Sequence, residues 1–390
     1  MKILHTSDWH LGHTLMGYDR TEEQQQMLDQ MVKITREQQP DVFLLCGDVY
    51  HSAQPSATVQ TMFTNALVSI HRACPTMTII TTAGNHDSGI KHDIFHTPWL
   101  ELGVHTIGNL DRQNLMSHII EITDKGFIIA LPYANERNIP DGMFQQLLDE
   151  VGRRNTHSLP VVMTAHTTIR GCDFSGHDNA TEYSVGGIDY LDINQLGEGY
   201  DYLALGHIHH QQFVHTGRHN VRYSGSPLPV SFDENYEHTV SIVDINAHWA
   251  TPQITQILVN NPHPLVTLPT QGFASWDEAK AIFQNFPDDL AAYIRLNVRI
   301  TDFLPHNAKY EAEQIAQRKQ CRFCLINAKR IQHENAANNH VMTINEFRTQ
   351  QPITIARQFA KDKGIEFDET MQQLFLQAVE KVRLSTTFTK

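Results

Sequence analysis

Cysteine is scarce in this chain. Five in 390 residues do not make a disulfide framework. Long apolar runs are missing too: no stretch reaches the roughly 20 consecutive apolar residues that span a bilayer. The opening Met1-Lys2-Ile3-Leu4-His5 meets Asp8 too soon to supply the apolar stretch of a signal peptide. These absences lead to the expectation of a cytoplasmic protein without a membrane partner. Positive charge is also short, with 30 Lys+Arg against 43 Asp+Glu and a formal net charge of −13. The deficit is uneven. The first 265 residues hold 14 basic and 29 acidic side chains, residues 266–330 hold 9 and 7, and residues 331–390 hold 7 and 7. Affinity for nucleic acid normally comes from cations that neutralise phosphates, so the N-terminal two thirds are poorly suited to grip a polyanion unaided.

Against these shortages stand a hydrophobic content of 41%, ample for packed cores, and a length that suggests two or three domains. Histidine is plentiful at 24, but the count matters less than the placement. Five short stretches share one design, an apolar run followed at once by metal-ligand side chains. They are Leu4-His5-Thr6-Ser7-Asp8-Trp9-His10, Leu44-Leu45-Cys46-Gly47-Asp48-Val49-Tyr50-His51, Thr82-Ala83-Gly84-Asn85-His86-Asp87, Val161-Val162-Met163-Thr164-Ala165-His166 and Leu203-Ala204-Leu205-Gly206-His207-Ile208-His209. Together they describe a two-metal phosphoesterase site. Two divalent ions roughly 3.5–4 Å apart clamp the attacking and leaving oxygens of a phosphoryl displacement. Holding them so close needs an anionic bridge, and Asp48, after a glycine turn, is the candidate. Asp8 with His10, and His207 with His209, are two apart on extended segments and can each point two groups one way. Imidazole and amide ligands favour manganese, iron or zinc over bare magnesium. The remaining histidines, His13 and His210 beside the motifs included, carry no such assignment. Cys321-x-x-Cys324 lacks a second pair, and His333 and His340 miss Cys₂His₂ spacing, so it reads as part of an apolar strand.

The ordered set resembles the metallophosphatase superfamily, whose pattern runs D-x-H, G-D, G-N-H, a lone His and G-H-x-H. Within it the chain is similar to the SbcD family, the nuclease components of bacterial SbcCD complexes. That narrower likeness rests on Gly47-Asp48-Val49-Tyr50-His51, Gly84-Asn85-His86-Asp87 and Tyr223-Ser224-Gly225-Ser226-Pro227-Leu228-Pro229-Val230-Ser231-Phe232. It is strong over residues 1–245 and weaker in the last third. The resemblance implies an α/β fold, a layered α/β/β/α sandwich over residues 1–260, an α/β capping domain over 261–335 that positions DNA, and C-terminal helices over 336–390 that bind the ATPase partner. It assigns Asp8, His10, Asp48 and His209 to one metal, and Asp48, Asn85, His166 and His207 to the other, with manganese expected. His86 would protonate the leaving oxygen and His51 would sit beside the scissile phosphate. The implied assembly is a homodimer joined to two copies of an SMC-like ATPase, SbcC. The implied activities on DNA are 3′–5′ double-strand exonuclease and single-strand or hairpin endonuclease, in repair and recombination.

The local patterns agree with a layered α/β domain. Thr21-Glu22-Glu23-Gln24 has capping-box form ahead of Met27, Leu28, Met31 and Val32, and Pro55-Ser56 opens a second helix. Val42–Cys46, Met77–Thr82, Phe127–Leu131 and Val161–Thr164 read as buried strands. From about residue 211 strands dominate, at Gln212–His215, Val221–Tyr223 and Thr239–Ile245. Asn260-Asn261-Pro262-His263-Pro264 reads as a linker. Beyond it follow a strand at Leu265–Leu268, a capping box at Ser275-Trp276-Asp277-Glu278, an alternating strand at Tyr293–Ile300, a helix near Ala308–Arg318 and a strand near Arg322–Ile331. Arg295, Arg299, Arg318, Lys319, Arg322, Lys329 and Arg330 either line a DNA groove there or are solvated surface cations. The polar run Gln332–His340 reads as a tether to two helices, one opened by Pro352 and ended by Gly364, the other capped by Asp368. Their apolar stripes suit docking into a partner groove.

Other readings of the metal site remain open. It serves a small-molecule phosphodiesterase as well as a nuclease, and a relict fold without metal would serve only as an assembly component.

Overall fold

A computed structural model describes residues 1–175, 190–214, 219–331, 352–362 and 367–386. The short apolar runs become strands buried on both faces. Strands β1 (Lys2–Thr6), β2 (Val42–Cys46), β3 (Thr78–Thr82) and β4 (Val104–Ile107) lie side by side and parallel. The next group comprises β5 (Ile119–Ile122), β6 (Gly126–Ile129), β7 (Val161–His166), β8 (Thr168–Ile169), β9 (Tyr190–Leu191), β10 (Tyr202–Gly206), β11 (Gln212–Phe213) and β12 (Val221–Tyr223). Apart from the small β8–β9 pair, these form a second sheet in the order β11-β12-β10-β7-β6-β5. It is parallel in its middle and antiparallel at both edges. The chain then returns to the first sheet through β13 (Thr239–Asp244) and β14 (Gln253–Leu258), which pair antiparallel beyond β1.

Alternation along each strand sorts side chains between layers. Val42, Leu44 and Cys46 of β2 meet Val162, Tyr202 and Ala204 between the sheets. Phe43 and Leu45 face outward against α1 (Thr21–Gln38) and α2 (Ala57–Ala73), through Met27, Leu28, Met31, Met62, Phe63 and Leu67. Helices α3 (Gly89–Ile94) and α4 (His96–Leu100) follow β3, and α5 (Met143–Arg154) covers the second sheet with Leu147, Leu148 and Val151. The result is the expected α/β/β/α layering. Each fully buried Leu or Ile contributes about 1.5–3 kcal/mol.

One expected detail is not formed. Thr21 makes no side-chain cap; its N–H goes to Asp19 Oδ1 at 2.7 Å. Gln24 is engaged elsewhere: its Oε1 accepts from the Gly12 N–H at 3.0 Å, and its Nε2 donates to the carbonyls of His10 and His13, both at 3.3 Å. Tertiary hydrogen bonds to the site loop have outcompeted the local cap.

After β14 come β15 (Leu265–Leu268), α6 (Trp276–Gln284), β16 (Tyr293–Ile300), α7 (Ala308–Ala316) and β17 (Arg322–Arg330). The three strands are parallel in sequence order. Ser275 and Glu278 form both bonds of the expected capping box. Cys321 is buried in this module's core with Phe283, Leu296 and Phe323. The module packs on the sandwich: Tyr293 donates its hydroxyl to Glu23 Oε1 at 2.5 Å, and Tyr18 donates to the Phe323 carbonyl at 2.9 Å. Residues 1–330 form one compact unit and 331–390 a second. The second holds α8 (Pro352–Asp362) and α9 (Glu369–Thr386), the latter capped by Asp368, which accepts from the Met371 N–H at 2.8 Å. Phe359, Met371 and Leu374 are exposed. The expected tether at 332–340 and the stop at Gly364 lie outside the described residues. Among the described residues no helix is long and apolar enough to cross a membrane.

Candidate active site

Five parallel strands end at one edge of the sandwich, β1, β2 and β3 from one sheet and β7 and β10 from the other. Each delivers one of the five motifs there, where open α/β sheets gather ligands. The turns are sharp. Asp8, His10, Asp48 and His207 have φ of 55°, 44°, 49° and 96°, a region costly for residues other than glycine and concentrated at functional sites. Backbone bonds hold them, with Asp8 N–H to the Gly47 carbonyl and His10 N–H to the Asp48 carbonyl, both at 3.0 Å. Close approach requires glycine at several of these turns. A Cβ on Gly47 would lie 2.0 Å from His166 Nδ1, and one on Gly84 would lie 2.1 Å from Asp48 Oδ1.

The seven predicted ligands converge. His10 Nε2 lies 3.1 Å from His209 Nε2 and 3.7 Å from Asp48 Oδ2. His166 Nε2 lies 3.3 Å from the same carboxylate oxygen. Asn85 Oδ1 is 3.1 Å from His166 Nε2 and 3.0 Å from His207 Nδ1. The His207 N–H lies 3.1 Å from both Asp8 oxygens. Among the described residues, Asp8, His10 and His209 form one group with ligand atoms within 4.8 Å of one another, and Asp48, His166 and His207 form another. Mixed nitrogen and oxygen donors in two adjoining groups fit a pair of divalent transition ions. His10, His51 and His86 form a third such group. His51 and His86 stack with ring centroids 5.8 Å apart, and His86 Nδ1 is 3.0 Å from the His51 carbonyl. The His86 N–H donates to Asp48 Oδ1 at 2.9 Å.

Burial sets the electrostatics. It depresses His10 and His13 well below the ordinary imidazole range and His51 to about 4, with neighbouring histidines adding to the effect at all three. These rings are neutral bases at pH 7. Burial pushes Asp8 up to about 6, against the pull of His166 and His209. Burial also acts on Asp48 and His166, but there their mutual attraction wins. It holds Asp48 well below the usual carboxylate range and lifts His166 to about 9.

Several contributors are assigned no role from the sequence. Asp87 accepts from the N–H groups of Val49, Tyr50 and Gly84 at 3.0, 2.9 and 2.8 Å, tying the second motif to the third. Ser7 donates to Asp8 Oδ2 at 2.5 Å. His13, adjacent to a motif but unassigned, packs edge-on against His51 at 4.7 Å. Glu234 meets His209 at 3.1 Å. The cations expected at a DNA groove are largely engaged within the chain. Arg295 pairs with Asp233, Arg299 with Glu278 and Lys319 with Asp288. Arg322 donates to Tyr293 and to the Asp19 carbonyl, Arg330 donates to the Asp302 carbonyl, and Lys329 lies over the Phe273 ring.

The chain is also similar to known proteins. Residues 1–211 match the calcineurin-like phosphoesterase family. The chain is 32% identical over 309 residues to the SbcD component of the SbcCD nuclease of Rhodobacter capsulatus, covering 72% of this chain and 75% of that one. It is 29% identical over 330 residues to the SbcD protein of Bacillus subtilis, covering 78% and 80%. Against the SbcD protein of Escherichia coli K12 the identity is 24% over 398 residues, covering 96% and 95%.

Proposed function

We propose that this chain, which belongs to the calcineurin-like phosphoesterase family and within it to the SbcD nucleases, cuts DNA phosphodiesters with a pair of metal ions. Asp8, His10, Asp48 and His209 would hold one ion, and Asp48, Asn85, His166 and His207 the other. Manganese is the preferred metal. Such a pair, when bound, activates water and neutralises charge on the phosphate. The observation that carries this reading is Asp48 Oδ2, which lies 3.7 Å from His10 Nε2 and 3.3 Å from His166 Nε2, so that one carboxylate would serve both ligand groups.

The chain's own residues supply the rest. Asp48 stays ionised because His166 and His10 surround it. The His51 carbonyl accepts a hydrogen bond from His86 Nδ1–H, which orients the ring. As an imidazolium, its Nε2–H would donate to the departing sugar oxygen, a poor leaving group as an alkoxide, and leave His86 neutral. His51 lies beside that ring and lines the approach of the scissile phosphate. The net charge of −15 over the first 265 residues opposes DNA binding, and with most capping-module cations already paired, the grip on DNA comes from a second copy and an SMC-like ATPase. In this reading the chain is a homodimer with two copies of SbcC, residues 261–335 position DNA and the C-terminal helices dock the ATPase. The activities are 3′–5′ trimming of duplex ends and nicking of single strands and hairpins, in repair and recombination.

The test is a substrate panel with manganese: circular single-stranded DNA, linear duplex and bis(p-nitrophenyl) phosphate, each with and without chelator and the ATPase partner. Chelator-sensitive DNA cutting, enhanced on duplex by the partner and ATP, is expected. Hydrolysis of the small ester with DNA untouched even beside the partner would overturn the nuclease reading in favour of a small-molecule phosphodiesterase.

A further inference from the structure

We propose that Glu234 is a positioning residue for one half of the metal site: it fixes the His209 ring so that Nε2 faces the ion shared with Asp8 and His10. The inference rests on the metal-site reading above. Glu234 Oε1 lies 3.1 Å from His209 Nδ1, with the two side chains 0% and 1% exposed. An ionised carboxylate only accepts hydrogen bonds, so Nδ1 carries the proton and the lone pair is on Nε2. That is the atom 3.1 Å from His10 Nε2. A carboxylate behind a ligand histidine orients the ring and raises its basicity.

Glu234 is itself held in place. Its Oε1 accepts from the Val230 N–H at 3.3 Å, and its Oε2 accepts from the Ser226 hydroxyl at 3.4 Å. The Ser226 N–H donates to the His209 carbonyl at 3.0 Å, so one residue grips both the ligand's backbone and the carboxylate behind its ring. Two residues earlier, Ser224 Oγ lies 2.8 Å from Ser7 Oγ, the hydroxyl that donates to Asp8. The Ser224–Glu234 segment thus supports two ligands of one ion. His166, on the other ion, takes its outer contact elsewhere, from Nδ1 to the Cys46 carbonyl at 2.9 Å. This gives the Ser-Gly-Ser-Pro segment a physical task.

The experiment is a calorimetric manganese titration of the full metal-free chain and of Glu234→Gln. The wild type should bind two ions. The variant should weaken one binding event by roughly 10–100-fold, leave the other unchanged and recover cleavage when manganese is raised. Ser226→Ala should weaken the same event by less, and it carries the test if Glu234→Gln does not fold. An unchanged isotherm would overturn the proposal. So would equal weakening of both events, which is the mark of a merely structural role. A wild-type chain that binds no manganese would instead sink the metal-site reading, and this inference with it.

Discussion

His10 and His209 meet ring nitrogen to ring nitrogen, Nε2 to Nε2 at 3.1 Å with their planes 67° apart. Burial lowers the proton affinity of both rings, so both favour the neutral form, in which one ring nitrogen is a donor and the other a lone pair available to a cation. His209→Ala should therefore lower bound manganese by one ion per chain and cut cleavage by more than about 100-fold, since it deletes a ligand where losing a mere supporting group costs 10–100-fold. Metal analysis of the dialysed protein reads the first effect and a nicking assay the second.

His86→Ser should behave in the opposite way. Metal content stays the same, and DNA cleavage falls by roughly 10²–10⁴-fold, the worth of a positioned proton donor. The defect should shrink on bis(p-nitrophenyl) phosphate, whose nitrophenolate departs without a proton. An equal loss on both substrates would remove His86 from the leaving-group role.

Gly84→Ala places a Cβ 2.1 Å from Asp48 Oδ1 and 2.3 Å from its backbone nitrogen. Overpacking of this kind costs about 1–3 kcal/mol, and displacing Asp48 should abolish the paired metal binding as well. Gly152 in α5 is the control, because its Cβ would meet nothing within 4 Å. Gly152→Ala should stabilise the chain by about 0.4–1 kcal/mol. Thermal melts of both variants check the contrast.

The metal-free protein should lose stability in acid. Burial, with the Arg222 charge adding to it, depresses His5 from 6.5 to about 3; the ring sits between the sheets and bonds Tyr202 OH at 2.9 Å. The unfolded chain protonates His5 more readily, so its contribution is complete above pH 6.5 and drains away as the pH falls toward 3. His10, His13 and His51 shift in the same direction. Melting temperature against pH in chelator should drop across that window, and His5→Gln should flatten part of the slope.

Arg295 joins the capping module to the sandwich. It donates to Asp233 Oδ1 at 2.5 Å and to the Phe232 carbonyl at 3.1 Å, with both side chains of the ion pair largely buried. Arg295→Ala leaves Asp233 without that partner and should cost about 1–3 kcal/mol. Limited proteolysis should then cut between residues 259 and 265 faster than in the wild type.

Much of this architecture is legible in the sequence because its signals are local. Val42–Cys46 is a continuous apolar run and Tyr293–Ile300 alternates, and both are strands with those bounds. The metal-ligand candidates are legible for the same reason, each following its strand within a few residues. The edge strand Gln253–Leu258 is mixed in composition and largely exposed, so its order comes from pairing with β13 and not from its own pattern. Gln24 reads as a cap residue until the loop carrying His10 and His13 is folded against it. Asp87 belongs to the third motif but the sequence gives it no task, and Glu234 is an ordinary carboxylate there. Their roles exist only once Gly84, Val49 and His209 are in place around them.

Cleavage of circular single-stranded DNA, measured as manganese is added in known equivalents to the metal-free chain, tests the paired-ion site most directly. The account predicts activity that appears as the second ion binds, and an Asp48→Asn chain that neither holds the pair nor cuts. Full activity at one equivalent, or in the Asp48→Asn chain, would contradict it.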